Sequence, residues 1–89
     1  MQHKNPGATC EPLLPGHPRW DEFVDRLSGR EACNFHSDRW TCFGDLRFTK
    51  RILRQMGLDE LSIDVSTTYF KDHGGYCDCE VIFNVDHPR

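Results

Sequence analysis

Two cysteines in the segment YCDCEVIFNV, Cys77 and Cys79, are the residues whose type and spacing most clearly suggest chemistry. Alternate residues of a β-strand project from the same face, so a strand would place both thiols side by side. Their Cα atoms would then lie about 6.6–6.8 Å apart, near the upper limit for a disulfide, and a direct bond would be strained. Two thiols on one face can instead share a metal ion.

Zinc takes four ligands in proteins, usually Cys and His. A zinc site formed by Cys42, Cys77, Cys79 and His73, with His36 as an alternative to His73, is therefore one interpretation of these residues. The Cys-x-Cys spacing is not the usual Cys-x-x-Cys spacing of zinc sites. Core packing of the cysteines as small apolar residues, with no cofactor, is favoured over the zinc site. Thiols that carry out redox reactions are the third interpretation.

Two acidic residues, Asp78 and Glu80, alternate with the thiols and would lie on the opposite face of the strand. Such a pair can act as acid and base or hold a hard cation. Charges also protect an exposed strand edge from pairing with another chain. The second interpretation is favoured, and no catalytic arrangement is predicted elsewhere in the chain.

Alternation over residues 76–85 predicts a C-terminal strand, with Cys77, Cys79, Val81, Phe83 and Val85 facing inward. A lone strand is unstable, so it needs a partner: residues 39–43, residues 62–70, or the same strand in a second copy of the protein.

Helical spacing of apolar residues predicts a first helix with Trp20, Phe23, Val24 and Leu27 on its buried side. A second helix is predicted from about Thr49 to Met56, with the Thr49 hydroxyl as its cap and Asp45 as a rival cap.

Residues 59–73 are compatible with a strand or with a helix that Asp64 caps, and the helix is slightly favoured.

The predicted fold class is α+β: two or three short helices packed on a small antiparallel sheet that includes the C-terminal strand. The 89 residues correspond to one domain, residues 18–89, preceded by a flexible arm, residues 1–17, which is rich in Pro and Gly.

Composition excludes several classes of protein. The net charge of −3 argues against nucleic-acid binding, which usually needs a basic surface. No apolar run is long enough for a membrane span, and no signal peptide is apparent. Five cysteines without a signal also argue against a secreted disulfide framework, so a cytoplasmic location is expected.

The block HGGYCDCEVIFNV, residues 73–85, resembles the signature of a bacterial family known only as domain of unknown function 2695. The resemblance extends over residues 20–85 and includes Cys42 and a helix with the pattern T..IL...G, residues 49–57. Many members of that family have a histidine two residues after the first cysteine, where this chain has Gly44. The resemblance implies a shared fold but no activity.

The predicted function is a non-enzymatic accessory or protein-interaction module, although an enzymatic role is left open. Its partner would be another protein or a second copy, bound through the edge of the C-terminal strand. The alternatives are a zinc-stabilised module and a thiol redox protein.

Overall fold

The computed structural model describes residues 11–35 and 39–86. Three α-helices come first: α1 (Trp20–Ser28), α2 (Arg47–Gln55) and α3 (Glu60–Asp72). A single α-helical turn, α4 (Asp78–Glu80), then continues directly into a π-helical segment, Val81–Asp86. α2 packs against both α1 and α3, and the C-terminal helical segment contacts α1 and α2.

The predicted α+β fold is wrong, because the described residues contain no strand and no sheet. Residues 39–43 form an irregular loop, residues 62–70 belong to α3, and residues 76–85 are largely helical. The predicted strand edge for a partner or second copy is therefore missing as well.

The C-terminal segment is helical because its buried residues follow a helical spacing. Asp78, Val81, Ile82 and Val85 are buried, at positions i, i+3, i+4 and i+7. This helical pattern is hard to recognise in the sequence because its first buried residue is a carboxylate. The alternation of thiols and apolar residues in the same segment fits a strand instead. Phe83, expected to face inward, is 44% exposed.

An aromatic centre, formed by Trp20, Phe23 and Phe70, joins α1 to α3. The rings of Phe23 and Phe70 stack with centroids 5.9 Å apart, and Trp20 lies 5.2 Å from Phe23 and 5.7 Å from Phe70. The indole Nε1 of Trp20 donates a 2.7 Å hydrogen bond to Asp86 Oδ1, which fastens the C-terminal segment to α1. The helix predicted around Trp20, Phe23 and Leu27 is thus confirmed, with all three buried.

Helix α3 confirms the favoured prediction for residues 59–73, but Asp59 caps it instead of Asp64. The Asp59 side chain accepts a 2.8 Å hydrogen bond from the backbone N–H of Ser62. Gly74 follows the helix with φ of +90°, and Gly75 is buried where a Cβ would lie 2.9 Å from Val85 Cγ2. These two glycines let the chain turn tightly from α3 toward α4.

The predicted N-terminal arm is described only from residue 11 onward. Within that part, Leu13 is fully buried, and its backbone N–H donates a 2.9 Å hydrogen bond to Ser66 Oγ on α3. Residues 1–10 lie outside the described residues, and so does His36.

Candidate metal centre

Cys42, Cys77 and Cys79 come from two segments that are far apart in sequence. Cys42 lies in the loop before α2, and Cys79 lies within α4. Cys77 immediately precedes α4 and has an extended backbone, with φ −141° and ψ 168°. The direction of its side chain is therefore not set by the helix. This extended residue is what allows two cysteines with only one residue between them to bring their sulfurs together.

The three sulfur atoms form a compact group, which we call the thiol corner. Cys79 Sγ lies 3.1 Å from Cys42 Sγ and 3.4 Å from Cys77 Sγ. All three lie within 4.8 Å of one another, and each cysteine is half-buried. The structure therefore brings together three of the four residues predicted to bind zinc.

The sulfur spacing is close to that around a metal ion. A disulfide needs about 2.05 Å between its sulfurs, so these atoms stand as separate thiols. Tetrahedral zinc, with Zn–S bonds of about 2.3 Å, separates its ligand sulfurs by about 3.8 Å. A small outward movement of Cys79 would give such an arrangement, and soft thiolate ligands favour zinc or copper(I) over magnesium or calcium.

Asp78 lies between two cysteines of the corner and connects it to α2. Its carboxylate, fully buried, accepts hydrogen bonds from the backbone N–H groups of Thr49 at 2.8 Å and Phe48 at 3.2 Å. Its own backbone N–H donates to the carbonyl of Asp45 at 2.9 Å. Asp78 thus occupies the role of N-cap side chain for α2, where Leu46 has no side chain able to accept.

This cap corrects the sequence predictions for α2. The helix begins at Arg47, two residues before Thr49, and Thr49 is a buried residue of its first turn. The side chain of Asp45, the rival cap, accepts a 3.1 Å hydrogen bond from the backbone N–H of Arg47 and also pairs with the Arg47 guanidinium at 3.0 Å. Asp45 thus satisfies the first N–H group of the helix, and Asp78 satisfies the next two. Asp78 and Glu80 also do not form a strand pair, because Glu80 Oε1 accepts a hydrogen bond from the backbone N–H of Tyr76.

Two opposing effects act on the Asp78 carboxyl. Burial raises the pKa of Asp78 above its usual range, and the hydrogen bonds from Thr49 and Phe48 oppose that rise. The geometry favours the carboxylate, since both backbone donors point at its oxygens. A protonated Asp78 would keep only part of this cap.

The environments of the three thiols differ. Burial raises the pKa of Cys79, and hydrogen bonds to Cys42 and Cys77 raise it further. Burial likewise raises the pKa of Cys77. Burial also acts to raise the pKa of Cys42, but donors at Cys79, Gly44 and Cys77 outweigh it, and its pKa is lowered. Cys42 is therefore the sulfur that most readily becomes a thiolate.

The predicted histidine ligand, His73, lies apart from the thiol corner. Its Nδ1 is 2.9 Å from the carbonyl oxygen of Tyr69, and its ring stacks on Tyr69 with centroids 4.0 Å apart. Among the described His, Cys, Asp and Glu residues, the only metal-ligand group of three or more is the thiol corner. The alternative, His36, is outside the described residues.

A cluster of exposed rings shares its two segments with the thiol corner. Trp40, two residues before Cys42, packs against Phe35 at 5.3 Å and Phe83 at 5.9 Å. Phe83 follows Cys79 by one helical turn and is half-exposed, as is Trp40. The rings give the loop and the C-terminal helical segment a second contact besides the sulfurs.

Comparison with known proteins gives one match. The family model described as Protein of unknown function (DUF2695) matches residues 21–84, and the chain belongs to that family. No curated protein and no solved structure matches. None of the described helices has the length and apolar character needed to cross a membrane.

Proposed function

We propose that this member of the DUF2695 family is a small zinc-binding domain in which the ion fastens the C-terminal helical segment to the loop before α2. The observation that carries the proposal is the grouping of Cys42, Cys77 and Cys79 sulfurs within 4.8 Å of one another. Three cysteine sulfurs meeting from two distant segments are the ligand set expected of a structural zinc site.

The surroundings of the sulfurs support a bound cation. Donors from the backbone of Gly44 and Cys79 favour the thiolate of Cys42, and a thiolate is the form that binds metal. Asp78 holds the two segments together through three hydrogen bonds, so the three sulfurs are held close to one another before a metal binds. A site organised in this way loses less conformational freedom when the metal binds.

The fourth ligand in this proposal is an imidazole or a water molecule. His36 and His73 are the candidates that the sequence offers. A zinc ion with four protein ligands would be structural, whereas a retained water would leave one position open for a partner or substrate. The proposal favours the structural role and a non-enzymatic accessory or protein-interaction module, since the described residues place no acid–base pair beside the thiols.

The test is the zinc content of the full chain, purified without added metal and measured by native mass spectrometry. One zinc per chain is expected, and Cys42→Ser, Cys77→Ser and Cys79→Ser should each abolish it. Cys33→Ser is the matched control, because Cys33 is fully buried and outside the thiol corner, and it should keep its zinc. His36→Ala and His73→Ala would identify an imidazole ligand by a loss of affinity.

A thiol redox function is the second candidate, favoured by the 3.1 Å approach of Cys42 and Cys79. Oxidation would join their sulfurs, releasing two protons and passing two electrons to an oxidant such as a peroxide, which is reduced to water. Metal-free protein in which this disulfide forms rapidly and reversibly would favour redox chemistry over zinc. Metal-free protein with inert thiols would refute both functions.

A further inference from the structure

Basic side chains are concentrated on one side of the domain. Helix α2 carries four cations and no acidic residue among its nine residues. The end of α1 lies beside it, since Arg26 donates to the Gln55 side chain and Arg51 donates to the carbonyl of Glu31. We call this surface the basic face; it consists of Arg26, Arg30, Arg47, Lys50, Arg51 and Arg54.

The charge of the basic face is opposite to that of the remaining surface. Its members are six of the nine Lys and Arg residues in the described part of the chain. Three acidic residues of the described part pair with it or line its clefts, namely Glu31, Asp45 and Glu60. The remaining described residues carry three basic and ten acidic side chains. A protein with a net charge of −3 thus presents one positive side to its surroundings.

Two clefts cut into this surface. One, with a volume of about 320 Å³, is lined by Asp45, Leu46, Arg47, Lys50 and Arg54. The other, of about 220 Å³, is lined by Arg26, Gly29, Arg30 and Glu31. Both are at or below the lower end of the size range for small-molecule sites. They suit individual side chains inserted by a partner better than a cofactor.

Several of the cations are held in place before any partner arrives. Arg47 lies 4.2 Å from the centre of the Phe43 ring, and Arg51 lies 5.1 Å from that of Phe48. Within the described part of the chain, no ion pair involves Lys50 or Arg51. Arg51 is therefore fixed, by the Phe48 ring and the Glu31 carbonyl, with no carboxylate at ion-pair distance in the described part of the chain. A fixed cation of this kind binds an incoming anion at a smaller entropic cost. Arg47 is held partly by its ion pair with Asp45.

We infer that the basic face binds an acidic segment of another protein, rich in Asp or Glu. Cations on one side of a helix are about 5–6 Å apart, close to the spacing of about 6.6–6.8 Å between alternate side chains of an extended peptide. The face is only about 14 Å long, because α2 has nine residues. A longer polyanion such as a nucleic acid would extend over the acidic remainder of the surface and be repelled. The inference is independent of the metal centre.

The experiment measures binding of a fluorescent peptide of four glutamates, about 14 Å long when extended, to the full chain, with a ten-nucleotide thymidine strand as the competing probe. The wild type should bind the peptide and bind the oligonucleotide at least about tenfold more weakly, and salt should weaken peptide binding. Lys50→Glu should lower peptide affinity about tenfold, a difference of about 1.4 kcal/mol.

The matched control is Lys71→Glu, an exposed lysine in the last turn of α3. It lies eleven residues after Glu60, which pairs with Arg54, and so about 16 Å farther along the helix axis. It introduces the same charge change and should alter peptide affinity less than about twofold. Three results would overturn the inference: no peptide binding by the wild type, equal weakening by Lys50→Glu and Lys71→Glu, or an oligonucleotide bound as tightly as the peptide. The last would assign the face to nucleic acid.

Discussion

Trp20, Phe23 and Phe70 meet at the centre of the domain, whereas Cys42, Cys77 and Cys79 meet where the C-terminal helical segment crosses the start of α2. The aromatic centre depends on burial of apolar area, which is largely insensitive to pH and to metal ions. The thiol corner depends on directional hydrogen bonds, a buried carboxylate and ionisable sulfurs. One small fold therefore combines a region that tolerates changes of solution conditions with a region that responds to them.

The largest expected effect is at the aromatic centre. Phe70→Ala should lower the free energy of unfolding by about 3–5 kcal/mol, because Phe70 is fully buried between Trp20 and Phe23. Urea unfolding with zinc and with chelator should give the same loss. Phe70→Leu, expected to cost under about 1.5 kcal/mol, keeps the test valid if the alanine variant does not fold.

The control for this change is Leu61→Ala on α3, where the side chain is 72% exposed. Its cost should stay within about 0.5 kcal/mol. A loss at Phe70 that is much larger with zinc than with chelator would show that the two regions are not independent.

The second largest effect is expected at Asp78, where a substitution should change both the stability of the fold and its affinity for zinc. Asp78→Ala should cost about 2–3 kcal/mol in chelator, because it leaves two buried N–H groups of α2 without an acceptor. It should also weaken zinc binding about 10–100-fold, since the residue orders the ligands on either side. Isothermal titration with zinc measures the second quantity. Asp64→Ala, at an exposed position of α3, should change neither.

The smallest expected effect is the pH dependence of stability that arises from Cys33, a core thiol outside the thiol corner. Burial raises the pKa of Cys33 from 9.0 to about 12, so the folded state holds this proton more tightly than the unfolded state. The stabilisation that comes from the protonated Cys33 thiol is fully present below about pH 9 and is lost as the pH rises toward 12. Chelator-treated wild type should lose about 1 kcal/mol more than Cys33→Ala between pH 9 and pH 10. Equal slopes would contradict the raised pKa.

The parts of the fold that could be predicted from the sequence are those with a local signal. The stripe containing Trp20, Phe23 and Leu27 predicts α1, and the apolar side of α2 contains Ile52 and Leu53, both buried. These patterns are reliable because the residues that create them also form the core. Three of the four predicted zinc ligands come together even though the predicted strand is wrong. Cysteines suggest a metal site by their residue type, which does not depend on the secondary structure that carries them.

The strand predicted for the C-terminal segment is wrong because the strand pattern and the helix pattern share residues. Val81 and Val85 are inward in both a strand and a helix, whereas Asp78, Ile82 and Phe83 distinguish the two. A carboxylate is rarely buried without a partner, so nothing local marked Asp78 as an interior residue. Its partners, Phe48 and Thr49, lie about thirty positions earlier, and that relation has no signature in a single sequence.

The cap that Asp78 provides has a consequence for synthesis on the ribosome. Helix α2 leaves the exit tunnel about thirty residues before the side chain that completes its first turn. A nascent chain that has emerged only as far as residue 77 also lacks Val81 and Val85, which are part of the core. We therefore expect folding to finish only after residues 78–86 have emerged, which leaves the unfinished chain open to chaperones and proteases throughout most of its translation.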